Sequence, residues 1–378
     1  MKKIKNKVAN FSLPGVAIIL LFLSMISTGC DEILDEVTKH SNKNPKLLKD
    51  FEQVNLVANT DEEYDPARVD PRLVNAWGIA FNPTGVAWVN ATGTGLSFIF
   101  DKEGAELRTP VDVPSPGAAT GGHPTGIVFN GTNDFKLANG NPARFIFDAV
   151  DGIISAWNAG NNAVKVVDRS STSAYTGLAL AQDKGANFLY AANFRTGKID
   201  VFNRNFEQVM DKPFTDPGLP TGYSPFNIQT IGDKLYVMYA KVGANGRDDA
   251  GPGKGYVDIF NPDGTLVKRF VSKGQLNAPW GIAQAPAGFF EDGNSNSSDY
   301  HNAILIGNFG DGRINAYRPD GTYLGQLREH GNPIIIEGLW AIMFPPSTAT
   351  TVDPNRLYFA AGPDEEEHGL FGYLIKAE

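Results

Sequence analysis

Asn75-Ala76-Trp77-Gly78-Ile79-Ala80-Phe81 is the stretch that decides the fold, because the chain keeps returning to it. Clear copies are His123-Pro124-Thr125-Gly126-Ile127-Val128-Phe129 and Ala278-Pro279-Trp280-Gly281-Ile282-Ala283. Looser copies are Tyr175-Thr176-Gly177-Leu178-Ala179-Leu180, Ser224-Pro225-Phe226-Asn227-Ile228 and Glu337-Gly338-Leu339-Trp340-Ala341-Ile342. Successive copies lie roughly 50 residues apart, the period of a propeller blade rather than of a helical solenoid.

A second short apolar run follows each copy, at 86–89, 144–147, 188–191, 234–237, 303–306 and 356–359. Loops rich in Gly, Asn and Asp come next, then alternating runs such as Lys198-Ile199-Asp200-Val201-Phe202 and Tyr256-Val257-Asp258-Ile259-Phe260. Alternation at period two marks a half-buried strand. Asn261-Pro262-Asp263-Gly264 and Arg318-Pro319-Asp320-Gly321 then supply the preset φ and the positive φ of a tight turn before one more strand. The unit is a four-stranded antiparallel meander, and six units predict an all-β, six-bladed β-propeller over residues 51–378. The last unit lacks a strand, while an unmatched strand at 51–57 precedes the first. An open ring would expose unpaired backbone, so this N-terminal strand is expected to close it as the outer strand of the last blade.

Composition agrees with one exported domain. The 41 Gly and 24 Pro are spread along the 378 residues, as a turn-dense β chain requires. The first 29 residues carry Lys2, Lys3, Lys5 and Lys7 and no acid, followed by an apolar stretch at 16–26 too short for a confident membrane span. Ser27-Thr28-Gly29-Cys30 resembles a bacterial lipobox, although Ser27 stands where the pattern prefers Leu. Residues 1–29 therefore read as a lipoprotein signal peptide, and 30–50 as the lipidated, palmitate-bearing Cys30 with a flexible tether. This places the protein in the bacterial cell envelope, at the outer membrane or cell surface, with a membrane anchor as its first partner. Net charge is −9 and becomes about −13 without the leader, which disfavours nucleic acid as a partner. A monomer is expected. The single Cys offers no disulfide framework.

The blade starts resemble six-bladed NHL-type propellers and the wider lactonase-like group. A closer resemblance, over about residues 51–378, is to a family of exported bacterial six-bladed propellers. It is carried by Asn75 to Phe81, by Pro124-Thr125-Gly126-Ile127-Val128-Phe129-Asn130-Gly131, by Tyr239-Ala240-Lys241 with Asp248-Asp249-Ala250-Gly251-Pro252-Gly253, by Gly307-Asn308-Phe309-Gly310-Asp311-Gly312, and by Ala361-Gly362-Pro363-Asp364 with His368-Gly369-Leu370-Phe371-Gly372. The resemblance implies the fold and no activity.

In a propeller, the loops before the inner strands and those between second and third strands share one face. That face collects His123, Asn227, Lys241, Asp248, Asp249, Asp311, Glu337, Asp364, Glu367 and His368 as candidate ligand-binding residues at the channel mouth. Such oxygens could hold Ca²⁺ or another divalent cation, or a polar ligand. Asp and Asn are also turn formers in their own right. The long 248–255 loop reads as a lid, since its Gly-rich run lacks the spacing of a phosphate loop. Asp292, Asn294 and Asn296 start like an EF-hand, but Ser297 and Ala303 break the pattern, so 291–302 reads as a surface insertion. Trp77, Trp280 and Trp340 share one repeat position and read as a packing wedge. Two functions follow: a membrane-tethered scaffold binding a protein or glycan through its loop-bearing face, or a divalent-metal-dependent hydrolase or lactonase whose carboxylate base sits at the channel mouth. Lys241, Arg247 and Arg313 are the internal cations that could neutralise the acids; if they do, the metal reading weakens.

Overall fold

Six sheets surround a central channel in the computed structural model, which describes residues 48–61, 63–290 and 300–377. Blade one is Ala76–Phe81, Ala87–Ala91, Leu96–Phe100 and Val111–Asp112. Blade two is Pro124–Phe129, Phe145–Ala149, Ile153–Trp157 and Val164–Asp168. Blade three is Tyr175–Asp183, Ala186–Asn193, Lys198–Phe202 and Gln208–Val209. Blade four is Tyr223–Ile231, Lys234–Lys241, Gly255–Phe260 and Leu266–Ser272. Blade five is Pro279–Gln284, Ile304–Asn308, Ile314–Tyr317 and Tyr323–Gln326. Each is the four-stranded antiparallel meander that the repeat predicts.

The sixth blade is made from both ends of the chain. Leu339–Met343, Leu357–Ala361 and Leu370–Lys376 are joined by Phe51–Ala58, antiparallel, with Phe51 opposite Lys376 and Ala58 opposite Leu370. The N-terminal strand thus closes the ring with a full ladder. Phe51 is fully buried and packs 4.9 Å from the Phe289 ring. Arg68–Val69 adds a short parallel edge beyond it. The propeller begins slightly before residue 51: Leu48 is buried, and the Ala377 amide donates to the Asp50 carbonyl at 2.7 Å. The leader, Cys30, most of the tether, and Asp292, Asn294 and Asn296 lie outside the described residues. Among the described residues no helix is long and apolar enough to cross a membrane.

The repeat glycine has a packing reason. A Cβ on Gly78 would lie 2.2 Å from the Thr125 carbonyl oxygen of the next blade, and one on Gly126 would lie 2.4 Å from the Leu178 amide. Only glycine lets the inner strands approach this closely at those points. All six inner strands also slip register at this place, for example between Ala76 and Ile79 and between Leu339 and Ile342. A bulge adds a residue and re-aims the side chains around it. The residue before the repeat-glycine position, which Asn227 fills in blade four and Ala341 in blade six, is Trp77, Thr125, Thr176, Phe226, Trp280 or Trp340, so one level of the ring is mostly aromatic.

Candidate functional site

That aromatic level partitions the channel. Trp77 stacks on Trp340 at 3.5 Å, Trp280 meets both edge-on, and Phe309 covers the other side of Trp340 at 3.9 Å. On one side lies a chamber of about 220 Å³ lined by all six inner strands, including Ile79, Ile127, Asn227 and Trp280. On the other lies a cup of about 480 Å³, opening among the loops that precede the inner strands and those that join second to third strands. Its floor holds Trp77, Trp340, Phe194 and Phe226; its rim holds His123, Arg247, Asp248 and Glu365 to Glu367. The aromatic wedge read from the repeat is therefore also a cup floor.

Two loops build the rim. In the 242–254 connection of blade four, Val242 bridges Asp248, and the Gly243 amide donates to the Arg247 carbonyl at 2.7 Å. This small hairpin leans over the mouth, where Gly246, Arg247 and Asp248 line the cup. Opposite it, the blade-six loop puts Asp364, Glu365 and Glu366 successively at φ 53, 53 and 74°. Non-glycine residues pay roughly 1–2 kcal/mol each for that left-handed conformation, so a run of three is held by its surroundings. The Glu367 amide donates to the Asp364 carbonyl, and the His368 amide to that of Pro363.

The two loops meet at Glu366. Its carboxylate accepts from the Arg247 guanidinium, and from Asn75 Nδ2 at 3.2 Å. Asn75 Oδ1 in turn accepts from Trp340 Nε1 at 2.9 Å, which ties the rim to the floor. Burial raises the Glu366 carboxyl above its ordinary range and outweighs Arg247, which lowers it, while the Asp248 charge raises it further. Burial likewise raises Asp248, with the Asp249 charge adding to the rise. No side-chain hydrogen bond satisfies the Asp248 carboxylate among the described residues.

The expected site residues divide into four groups. His123, Asp248 and Glu367 line the cup, with His123 Nδ1 3.3 Å from Asp151. Asp249 and Lys241 stand just behind the hairpin, where Asp249 pairs with Lys254 at 2.6 Å and the Lys241 ammonium lies 5.3 Å over the Tyr223 ring. Glu337, Asp364 and His368 form a separate cluster: Glu337 accepts from the Asp364 amide at 3.3 Å, and His368 Nε2 lies 3.6 Å from Asp364. Tyr64 packs edge-on against His368, and its hydroxyl is pushed up to about 12 by burial and then by Glu63, Glu337 and Asp364. Asp311 and Asn227 stand apart. Asp311 caps its own turn, accepting from Asn308 and from the Arg313 amide. Asn227 takes the repeat-glycine position in blade four, below the aromatic level; it fills space left by Gly177, and its Nδ2 donates to the Trp280 carbonyl at 2.8 Å. It belongs to the wall of the inner chamber rather than to the mouth.

Arg247 does neutralise an acid at the mouth, but that acid is Glu366, which the sequence reading left unsingled within its run. Lys254, not Lys241, serves Asp249, and Arg313 lies 3.8 Å from Asp311. Among the described residues no group of three or more His, Cys, Asp and Glu is placed to hold a metal ion.

Comparison with known proteins gives a family without an activity. No family model matches the chain. Uncharacterized protein R648 of Acanthamoeba polyphaga mimivirus is 36% identical over 337 residues, covering 85% of this chain and 79% of the viral protein. Uncharacterized protein L690 of the same virus is 34% identical over 328 residues, covering 82% of each. Among solved structures, a streptogramin B lyase superposes with a TM-score of 0.51 at 12% identity, covering 86% of this chain and 96% of that one, a likeness of fold alone. These sequence relatives are viral, whereas the resemblance drawn from the motifs was to bacterial propellers. By the extent and identity of the match, the chain belongs to the family of propellers that includes R648 and L690.

Proposed function

We propose that this protein is a binding propeller whose cup, on the loop-bearing face, captures a small ligand. One observation carries the reading: the cavity of about 480 Å³ is closed below by the aromatic level and framed above by two loops tied together through Arg247 and Glu366. Closed, aromatic-floored concavities with a few convergent polar groups are the usual form of a small-molecule site. The leader adds a lipid anchor at Cys30, which would hold the cup at the bacterial envelope, open to what diffuses past. The hydrolase alternative is less well served. It needs several acids converging on one cation, and among the described residues no group of three or more His, Cys, Asp and Glu is placed to hold one.

Filling the cup tests the reading. Ala174 lines it, and Ala174→Trp would occupy much of its volume. A fragment library screened by saturation-transfer NMR is expected to yield ligands that the wild type binds and the variant does not. Fragments that bind both proteins equally, or no fragment binding at all, would remove the cup as the site.

A further inference from the structure

The charges and aromatic groups of the cup select one chemical class. Of its four acids, Glu366 is matched by Arg247, which leaves Asp248, Glu365 and Glu367 facing the mouth with no ion pair among the described residues. His123, the remaining basic group of the lining, is turned to Asp151. The floor beneath them is aromatic and apolar, so a charge interaction made above it is less screened than one in open water. We infer that the cup binds a small organic ammonium ion, its charge held by Asp248, Glu365 and Glu367 and its apolar body resting on Trp77, Trp340 and Phe226.

Three observations converge on this class. First, Asp248 is partly buried with no ion pair and no side-chain hydrogen bond among the described residues, and the nearby Arg247 guanidinium, already paired with Glu366, does not offset its burial. An ammonium would supply both the charge and the donors. Second, the apolar floor suits the hydrocarbon body of a substituted ammonium better than a metal ion, which would have to shed its water. Third, Trp77 is only 5% exposed, and its indole Nε1 has no acceptor among the described residues. A dry protein interior rarely leaves such a donor unmet. A ligand carrying an oxygen acceptor on its body would meet it. Other classes fit less well. Anions meet the acids. A sugar stacks on an open ring face, but Trp340 already lies between Trp77 and Phe309.

This inference rests on the binding reading above, and its test separates the two. Three probes of equal size and different charge are titrated by NMR against the full chain: phenethylamine, phenethyl alcohol and phenylacetate. The amine, a cation at neutral pH, should bind about tenfold more tightly than the alcohol, with the acid weakest, since one well-placed charge contact is worth about a factor of ten. Asp248→Asn should cost the amine most of that advantage and leave the alcohol within about twofold. Glu365→Gln, on the opposite loop, should act in the same direction and covers the case in which the hairpin variant misfolds. If the alcohol or the acid binds as well as the amine, or if neither variant moves the amine, the ammonium assignment is wrong while the cup remains a binding site. If none of the three binds but library fragments do, the assignment likewise falls alone. Silence from probes and library together would sink both.

Discussion

Asp148 offers a test of how the blades are joined, because its carboxyl is wholly buried between blades two and three. Its Oδ1 accepts from the Gly126 amide at 2.6 Å and from Thr125 Oγ1 at 2.9 Å, whereas Oδ2 has no partner. Burial lifts the carboxyl from its ordinary 3.8 to about 7, against the hydrogen bonds from Thr125, Gly126 and Gly177, which lower it. The sign follows from linkage. In the unfolded chain the group ionises near its ordinary value, while the folded protein holds the proton until about 7. Stability from this group is therefore full below the ordinary value, drains away as pH rises between the two, and stays low above the folded value. The interval corresponds to about 4 kcal/mol, on the order of half the stability of many domains.

Asp148→Asn keeps the shape and removes the titration. Urea unfolding of wild type and variant, measured from about pH 4 to about pH 8, should show the wild type losing about 4 kcal/mol relative to the variant across that range. Taking the difference between the two proteins cancels the other titrating groups. A difference that stays flat with pH would refute the argument, since it would mean that the carboxyl ionises equally well in the folded and unfolded chains. A difference that moves the other way would mean that the hydrogen bonds from Gly126 and Thr125 dominate over burial.

The remaining expectations concern the two ends of the chain. Phe51→Ala should lower stability by about 3–5 kcal/mol in chemical unfolding, because a fully buried ring that packs on Phe289 is lost from the strand that closes the ring; an unchanged midpoint would mean that the N-terminal strand is dispensable. Cys30→Ser should move the protein out of the membrane fraction of a bacterial host, or leave its leader uncleaved, and failure of the wild type to incorporate labelled fatty acid would end the lipoprotein reading.

The blades and their closure were legible in the sequence because both depend on local rules. A glycine that must admit a neighbouring strand, an alternating run and a Pro-Asp-Gly turn each announce themselves within a few residues. The missing strand of the last unit pointed to 51–57, and Phe51–Ala58 pairs there. The site was legible only as far as topology reaches. Loop equivalence put His123, Asp248 and Glu367 on one face, and they do line one cup. The same rule misplaced Asn227, because the bulge in each inner strand breaks the period-two bookkeeping that tells a mouth residue from a wall residue. It is this irregularity, not composition, that gathers Trp77, Phe226, Trp280 and Trp340 into one level and turns a channel into a cup. The pairing of acids escaped for a different reason. Arg247 meets Glu366 across 119 positions of sequence, from a hairpin whose lean is set by contacts with no sequence signature. Glu366 sat in plain view within an acidic run, but three successive left-handed residues, which decide that it rather than Asp364 faces inward, are a conformation that few side chains favour and no pattern of residue types foretells. A loop held so far from its local preference is maintained by what it touches, and here it touches Asn75, hence Trp340, hence the floor of the cup.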